Sequence, residues 1–435
     1  MYRTAITELQ VWKNAPARLP LIVRGARQVG KTWLIEEFGK TSFNSYVKIN
    51  FERNSAAKQI FDGDIDPKRI IRLLEIISQK KISPHDTLVF LDEIQEAPRA
   101  LTALKYFAED APEFPVIAAG SLLGIAEHEG ISFPVGKVSF MNLYPMSFKE
   151  FLLAAGEKGL AELLSEDFSM VNTFHDSYIE HLREYMLTGG MPAAVSSWTE
   201  SHNSEAMRKV QNDIIESYLS DLSKHAPGET AVRCRRIIMS LPSQLAKENK
   251  KFTYSIMKEG AKSKDYETSF ARLESCRIIN RVHRVTVPAI PMSAYEDQSV
   301  FKLFMHDTGL LCALSRIDPR IMLEGNSVMD MFKGSLTEQY VLQELISSGW
   351  TGIAYYSNER STAEIDFLIE SGGDIIPLEV KSGINTKAKR LKTYREKYKP
   401  RVSFRASLLP YKEQDGLINV PLYAASRLKD LIQHV

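Results

Sequence analysis

The run GARQVGKT (residues 25–32) lies between an apolar stretch, LPLIVR (residues 19–24), and an amphipathic segment, TWLIEEF (residues 32–38). It matches the pattern GxxxxGK[ST], whose glycines allow backbone N–H groups to close around phosphate oxygens. This mechanism requires a strand before the loop and a helix after it, because the helix N-terminus adds the positive end of its dipole. Both flanks have the required pattern, so the sequence predicts a phosphate-binding loop at a strand-to-helix junction.

Each residue of this loop is a candidate nucleotide ligand: Gly25, Ala26, Arg27, Gln28, Val29, Gly30, Lys31 and Thr32. We expect Lys31 to reach the β- and γ-phosphates of ATP and the Thr32 hydroxyl to bind Mg²⁺. ATP and Mg²⁺ are therefore the predicted cofactors. The alternative is a glycine-rich turn between a strand and a helix that holds no ligand.

A second stretch, DTLVFLDEIQ (residues 86–95), has the pattern of a buried strand that ends in two acidic residues. Ligands bind at the carboxyl-terminal edge of open parallel sheets, which is where such a strand delivers its last side chains. We expect Asp92 to hold Mg²⁺ through its water shell. Glu93 is the candidate general base that polarises the attacking water. Together with the loop, this stretch predicts ATP hydrolysis.

The next apolar stretch, residues 115–119, is followed by Gly120 and Ser121. In P-loop ATPases with an extra strand between the loop strand and the acidic strand, a polar residue at this place can contact the γ-phosphate or the attacking water. Ser121 is the candidate for that role, and a simple turn serine is the alternative. Arg27, Arg99 and Lys137 are all available as an arginine-finger-type cation, and the sequence does not choose among them.

The chain has 435 residues and a net charge of +1, so no overall field favours nucleic acid or membranes. No apolar run approaches the ~20 residues that span a bilayer, and the first residues lack a secretory signal pattern. The three cysteines, Cys234, Cys276 and Cys312, form no CxxC pair and indicate neither a metal site nor disulfides. We therefore expect buried cysteines in a cytoplasmic protein without membrane partners, and the oligomeric state stays open.

Strand-like and helix-like segments alternate over the first third of the chain, which is typical of an α/β fold with a parallel sheet. The pattern turns helical after about Ser147 and changes again near Gly334. A chain of this length predicts several domains. The predicted division is a P-loop core (1–150), a helical segment (151–230), a winged helix-turn-helix (231–325) and a C-terminal α/β domain (326–435).

The winged-helix prediction rests on residues 251–287, which suggest a helix, a turn at Gly260, a second helix and a β run. In winged helices the second helix enters the major groove of DNA while the wing touches the backbone. DNA is therefore a candidate partner, although winged helices also join proteins or domains. We expect Tyr266 and Phe270 to pack in the core. The basic residues of this segment are Lys258, Lys262, Lys264, Arg272, Arg277, Arg281 and Arg284.

Six motifs occur in the order RGARQVGKT, FLDEIQ, AAGSLLG, FPVGKV, LYPMSFKEF and LTGGMPAAV. In this combination the chain resembles the bacterial and archaeal AAA-type P-loop ATPases that carry a C-terminal domain of unknown function. The resemblance covers nearly the whole chain. It implies a nucleotide-binding core, a helical and winged-helix middle, and a C-terminal domain of restriction-endonuclease-like fold. An arginine is usual in that family where this chain has Lys137, and a lysine lacks the planar fork of a finger.

The last third contains acids and a lysine in the order found in the PD-(D/E)xK nuclease core. Glu338 lies on a predicted helix, Asp366 begins a predicted strand, and Glu379 and Lys381 lie on the next one, where their spacing places both on the same face. Carboxylates in this arrangement gather Mg²⁺ for phosphodiester cleavage. All four are candidate catalytic residues, with Asp366 and Glu379 as metal ligands. The proline that usually precedes the first acid is absent from this chain.

A basic helix follows, which predicts a surface that tracks phosphates. Its cationic residues are Lys387, Lys389, Arg390, Lys392, Arg395, Lys397 and Lys399. Alternatively, the acids lie on edge strands and the basic helix is merely solvated.

The leading hypothesis is an ATPase whose nucleotide state moves a winged-helix and nuclease-like module on nucleic acid. The alternative is a nucleotide-controlled switch or scaffold whose last domain binds a partner without cleavage. A DNA-binding regulator that uses only the winged helix is a third hypothesis.

Overall fold

The structure is a computed structural model that describes residues 1–120, 134, 136–226, 228–247, 250–324, 330–358, 364–383 and 389–434. The chain forms two compact units. The N-terminal unit comprises Tyr2–Tyr144 together with Ser275–Arg277. The C-terminal unit comprises Pro145–Glu274 and Ile278–Val435, together with Met1.

The N-terminal unit is an α/β fold around a five-stranded sheet with the order β2-β3-β4-β1-β5, in which every pairing is parallel. The predicted strands are confirmed within two residues at each end. In chain order the elements are α1 (Ala5–Lys13), β1 (Leu21–Arg24), α2 (Lys31–Ser42), β2 (Ser45–Asn50), α3 (Ser55–Asp62), α4 (Pro67–Ser78), β3 (Thr87–Asp92), α5 (Pro98–Asp110), β4 (Val116–Ala119) and β5 (Ser139–Asn142).

Both faces of this sheet are covered, which explains why its central strands are continuous apolar runs. Ile22 belongs to one buried cluster, whereas its neighbours Leu21 and Val23 belong to the cluster on the other face. All six residues of β3 are buried. Because the strands are parallel, their carboxyl ends lie at one edge of the sheet. The loop after β1 and the acids at the end of β3 therefore lie at the same edge, with β4 between the two strands.

The C-terminal unit begins with helices and continues into a mixed sheet. Its helices are α6 (Phe148–Ala154), α7 (Lys158–Leu163), α8 (Phe168–Thr173), α9 (His175–Thr188), α10 (Pro192–Ser201), α11 (Ser204–His225), α12 (Gly228–Leu245), α13 (Ser263–Ser275), α14 (Thr308–Leu314), α15 (Pro319–Glu324), α16 (Asp330–Ser347), α17 (Lys389–Tyr398) and α18 (Leu428–His434). Its strands are β6 (Ile279–Val285), β7 (Glu296–Met305), β8 (Ala354–Ser357), β9 (Glu364–Ser371), β10 (Asp374–Val380), β11 (Ser403–Ser407), β12 (Lys412–Gln414) and β13 (Leu417–Pro421).

These strands form one eight-stranded sheet with the order β12-β13-β11-β10-β9-β8-β6-β7. The β6–β7 hairpin joins the later strands because β6 pairs in parallel with β8, with His283 opposite Ala354. The predicted boundary between residues 325 and 326 therefore separates strands of a single sheet. A change of sequence pattern marks a helix that lies between strands along the chain. It does not show whether the strands before that helix pair with those after it.

Residues 251–287, predicted as helix, turn, helix and β run, form a short 3₁₀ turn at Tyr254–Ile256, α13 and β6, so the predicted first helix is replaced by the 3₁₀ turn and α12 precedes this segment. Tyr266 and Phe270 are buried, as expected. Several basic residues of the segment are held internally: Arg272 is buried, Arg281 contacts Glu267 and Glu274, and Arg284 contacts Asp297. Its exposed cations include Lys258, Lys262 and Lys264.

Within the described parts of the chain, none of the helices is both long and apolar enough to cross a bilayer. The three cysteines are free and buried, which confirms the expectation of burial. Burial raises the pKa of the Cys234 thiol to about 11 and that of Cys312 to about 12.

Candidate nucleotide site and C-terminal charge cluster

The loop between β1 and α2 has the backbone shape that its glycines allow. Gly30, which caps the N-terminus of α2, has a φ of 97°, a left-handed conformation that glycine adopts without steric cost. Ala26 and Val29 are buried, so the loop is anchored in the core by its apolar side chains. Arg3, which lies outside every predicted motif, donates a 2.9 Å hydrogen bond to the Val29 carbonyl oxygen. The buried side chains of Ala26 and Val29 and the hydrogen bond from Arg3 therefore stabilise the loop.

Lys31 folds over this loop. Its Nζ donates to the carbonyl oxygens of Gly25, at 2.8 Å, and Ala26, at 2.9 Å. Burial lowers the pKa of Lys31 to about 8, although the charges of Glu93 and Asp92 act in the opposite direction. A nearby polyphosphate would add negative charge and favour the protonated amine. The residue therefore lies where the sequence predicted a phosphate-binding cation.

Thr32 and Asp92 connect the loop to the end of β3. The Thr32 hydroxyl donates to Asp92 Oδ1 at 3.3 Å, and Asp92 is almost fully buried. A hydroxyl and a carboxylate are oxygen donors of the kind that Mg²⁺ prefers. The donor set therefore fits the predicted metal, with Thr32 and Asp92 as the residues that would hold it.

Asp92 also contacts β2, which the sequence did not predict. Asn50 lies opposite Asp92 in the sheet and donates from Nδ2 to Asp92 Oδ2 at 3.2 Å. Lys48 Nζ lies 3.3 Å from the same oxygen and 2.7 Å from Glu36. Burial acts to lower the pKa of Lys48, but its contacts with Glu36 and Asp92 outweigh this and raise it. The alternating polar residues of SYVKIN (residues 45–50) were the available signal.

Glu93 has an unusual backbone for a residue with a side chain. Its φ is 53°, in the left-handed region, and such strain is commonly found at functional sites. Gln95 Nε2 donates to Glu93 Oε2 at 2.6 Å and so orients the carboxylate. A Cβ at Gly120 would lie 2.3 Å from Gln95 Oε1, so a side chain there would displace the Gln95 amide from its present position. Gln95, like Arg3, Lys48 and Asn50, was not predicted from the sequence.

Of the remaining candidates, Ser121 lies outside the described residues. Arg99 Nη2 donates to the Gly63 carbonyl oxygen at 2.9 Å, and Lys137 Nζ lies 3.0 Å from Glu109. Arg27 belongs to the loop itself. These contacts do not assign an arginine finger, which stays open.

In the C-terminal unit, Glu338 and Asp366 come together around buried lysines. Lys250 donates to Glu338 Oε1, and Lys302 Nζ lies 3.6 Å from the other carboxylate oxygen. Lys302 is 1% exposed and also pairs with Glu364 at 2.6 Å. We call Lys250, Lys302, Glu338, Glu364 and Asp366 the lysine–carboxylate cluster.

The two predicted acids of this cluster titrate differently. Burial opposes ionisation of Glu338, but the charges of Lys302 and Lys250 outweigh it and lower the pKa of Glu338. Burial and the neighbouring charge of Glu338 raise the pKa of Asp366. Asp366 Oδ2 also accepts a 2.8 Å hydrogen bond from the Val380 backbone N–H. The cluster therefore lowers the pKa of Glu338 and raises that of Asp366.

Glu379 and Lys381 lie on the same face of the sheet, as their spacing predicted, with Lys381 Nζ 3.0 Å from Glu379 Oε1. Arg405 Nε lies 3.6 Å from Glu379 Oε2. Among the described residues, no three acidic, histidine or cysteine side chains lie close enough together to hold a metal ion. Glu338 and Glu379 each contact two cations of the chain itself.

The basic helix predicted after these strands is α17, with Leu391 and Tyr394 buried against the sheet. The predicted cations that are exposed in this helix and just after it are Lys389, Arg390, Lys392, Lys397 and Lys399. Lys387 lies outside the described residues.

Family models match three parts of the chain. Residues 17–152 match a family described as an AAA domain. Residues 179–321 and 333–424 match two families described as domains of unknown function, DUF8612 and DUF4143. Uncharacterized proteins of Mycobacterium bovis and Mycobacterium tuberculosis are each 23% identical over 377 residues, which cover 85% of this chain and 72% of theirs.

Solved structures show weaker likenesses. The Walker-type ATPase PABY2304 of Pyrococcus abyssi is 14% identical with a TM-score of 0.44, covering 72% of this chain and 94% of that chain. The ORC1 protein of Aeropyrum pernix in complex with DNA is 12% identical with a TM-score of 0.31, covering 73% of this chain and 93% of that chain.

The AAA-domain match contains the phosphate-binding loop, the acids after β3 and all the strands of the parallel sheet. The loop lysine, the threonine–aspartate pair and the strained glutamate lie at one edge of that sheet. The restriction-endonuclease-like fold stays a prediction, because the family matched there has no described function. Residues 17–152, which form most of the N-terminal unit, therefore match an AAA-domain family.

Proposed function

We propose that the N-terminal unit binds ATP with Mg²⁺ and hydrolyses it, and that its nucleotide state controls a C-terminal unit that binds nucleic acid without cutting it. The observation that carries the ATPase proposal is the 3.3 Å contact between the Thr32 hydroxyl and Asp92, with Glu93 next in the chain. It brings the phosphate loop and the acidic strand end into one site.

Each residue of this site has a role in the proposal. The loop N–H groups and Lys31 bind the phosphates, and Thr32 and Asp92 hold Mg²⁺, which neutralises phosphate charge when bound. Glu93 accepts the proton of the attacking water, and Gln95 orients its carboxylate. These roles use groups that the fold already places at the sheet edge, so little rearrangement is needed before reaction.

The proposal for the C-terminal unit rests on the lysine–carboxylate cluster. Metal-dependent cleavage needs carboxylates whose negative charge is available to the ion. Lys250 and Lys302 contact Glu338, and Lys381 and Arg405 contact Glu379, so both acids are paired with side-chain cations. This favours binding over cleavage. The exposed lysines of α13 and α17 are the surfaces proposed for nucleic acid.

The two halves of the proposal are tested in one incubation of the protein with ATP, Mg²⁺ or Mn²⁺, and plasmid or linear DNA. We expect phosphate release that stops when the metal is chelated or when Lys31 is changed to alanine. We expect the DNA to stay intact with both the unaltered protein and Lys381→Ala. Metal-dependent cleavage that Lys381→Ala abolishes would instead support the nuclease hypothesis.

Asn50 gives a test of the metal site that leaves every proposed metal ligand in place. Asn50→Ala should raise the Mg²⁺ concentration for half-maximal ATP turnover about 10- to 100-fold, as is typical when a hydrogen-bond partner of a metal-binding carboxylate is removed. The matched control is Asn44→Ala, an exposed asparagine just before the same strand. An unchanged Mg²⁺ requirement in Asn50→Ala would show that Asn50 does not support Asp92.

A further inference from the structure

A row of polar residues crosses the sheet of the C-terminal unit towards its β12 edge. Glu379 on β10 is paired with Arg405 on β11, which is paired with Asn419 on β13, which is paired with Lys412 on β12. Directly paired residues on neighbouring strands have their side chains on the same face. Since β12 is the edge strand, the row runs from the buried acid to the open edge of the sheet.

A cavity of about 460 Å³ lies at the Arg405–Lys412 end of this row. That volume is within the range of small-molecule sites. Arg405, Lys412 and Asn419 contribute polar groups to the lining, and Leu409, Tyr411 and Leu417 contribute an apolar wall. A site of this composition suits a ligand with an anionic group attached to a flat or apolar body.

Arg405 is the central observation, because it is largely buried and its hydrogen-bonding capacity is unused. Its side chain is 12% exposed, and its Nε has no hydrogen-bond partner. Its nearest charged partner, Glu379 Oε2, lies 3.6 Å from this nitrogen, beyond hydrogen-bond distance. Leaving buried N–H groups unpaired is unfavourable, so a site that keeps such a group gains when an acceptor binds.

The charges around Arg405 leave a positive excess. Its ion-pair partner, Glu379, also pairs with Lys381 at 3.0 Å, so one carboxylate is shared by two cations. Lys412 adds a further positive charge at the cavity. Glu413, the next residue on β12, projects to the opposite face because side chains alternate along a strand. The cavity therefore favours an anion.

The walls of the cavity are held in place by internal contacts. Asn419 accepts from the Ser407 hydroxyl at 2.7 Å and donates to the carbonyl oxygens of Leu409 and Pro410. The Tyr411 ring stacks on Phe168, with ring centroids 4.0 Å apart and an angle of 7° between the planes. These contacts hold Asn419 and the Tyr411 ring in place, which reduces the ordering needed when a ligand binds.

We propose that this cavity binds the phosphate group of a nucleotide, with the Arg405 guanidinium fork on the phosphate and the base against the apolar wall. Arginine binds phosphate through two parallel hydrogen bonds, and Lys412 adds a point charge at the rim. The site is separate from the phosphate loop of the N-terminal unit. A free nucleotide and the 5′-terminal nucleotide of a nucleic-acid strand share this chemistry.

The test uses the full chain carrying Lys31→Ala, so that the phosphate loop does not contribute to binding. Calorimetric titration with AMP, with a 5′-phosphorylated single-stranded oligonucleotide, with adenosine and with inorganic phosphate compares the ligand groups. We expect AMP or the phosphorylated oligonucleotide to bind and adenosine to fail. Binding of AMP identifies a free-nucleotide site, whereas binding of the oligonucleotide alone identifies a strand-end site only where Arg405→Ala weakens it.

Two further variants in the Lys31→Ala chain locate the ligand. Arg405→Ala should abolish binding. Lys412→Glu should weaken binding about 10- to 100-fold, as expected for a lost charge-assisted contact. Lys412 is exposed on an edge strand, so we expect this change to leave folding unaffected. Lys209→Glu, an equal charge change on the exposed face of α11, is the control and should bind normally. Any of three results would overturn the proposal. Neither AMP nor the oligonucleotide binds, or the Lys412→Glu variant binds as tightly as the chain without that change, or inorganic phosphate binds as tightly as AMP. Because these readouts do not involve ATP turnover, their failure is distinct from failure of the ATPase proposal.

Discussion

Replacing Glu93 with glutamine should lower the rate of ATP turnover by about 10²- to 10⁴-fold, the range for loss of a general base. The amide keeps the size of the side chain and its contact with Gln95, but it cannot accept the proton of the attacking water. Lys31, Thr32 and Asp92 are untouched, so the affinity for ATP should stay within a few-fold of the original. Turnover is measured by phosphate release and affinity by equilibrium binding of ATP.

Glu96→Gln is the matched control for this experiment. Glu96 lies on the short 3₁₀ turn that follows Glu93 and pairs with Lys58 at 3.0 Å on the partly exposed surface. The same loss of one negative charge there should leave turnover unchanged, because Glu96 makes no contact with Asp92 or the loop among the interactions described. Retained turnover in Glu93→Gln would remove Glu93 from the role of base.

The nucleotide site was predictable because its chemistry depends on neighbours in the sequence. A loop between a strand and a helix, and acids at the end of a buried strand, are recognisable from local patterns alone. The contact between Thr32 and Asp92 then follows from the parallel sheet, which brings strand ends to one edge. Asn50 and Lys48 were not predicted, because their contacts with Asp92 depend on which strands are neighbours in the sheet. The order of strands cannot be read from any single segment of the sequence.

The C-terminal acids show a different limit. Their order along the chain and the shared face of Glu379 and Lys381 were predictable from spacing. The cations that contact Glu338 were not, because Lys250 and Lys302 are distant from it in sequence, although the apolar run VFKLFM (residues 300–305) was an available signal that Lys302 is buried. A lysine in a sequence is most often a surface residue. Only the fold shows which carboxylate it meets, and that contact decides whether the acids can hold a metal.

Lys302→Met should destabilise the lysine–carboxylate cluster by about 3–5 kcal/mol, the cost of removing one partner from a buried ion pair. Methionine nearly preserves the length and the apolar stem of the side chain, so the change removes charge without opening a large cavity. Glu338 and Glu364 would then keep buried negative charge with less compensation. Hydrogen exchange of peptides that cover α16 and β9 measures the local opening free energy, which should fall by this amount.

The effect of Lys302→Met should depend on pH in a defined direction. In the unaltered protein the cations hold the pKa of Glu338 below its ordinary value, so its ionised form contributes stability at neutral pH that is lost as the pH falls through its folded pKa. Without Lys302, burial raises the pKa of Glu338 again, and protonation removes the uncompensated charge. The destabilisation should therefore be larger at about pH 8 than at about pH 5. Lys209→Met, which breaks only an exposed pair with Asp213, should change little at either pH. A loss of stability that is equal at both pH values would show that Lys302 acts by packing, and the carboxylates would then be free to bind a metal ion.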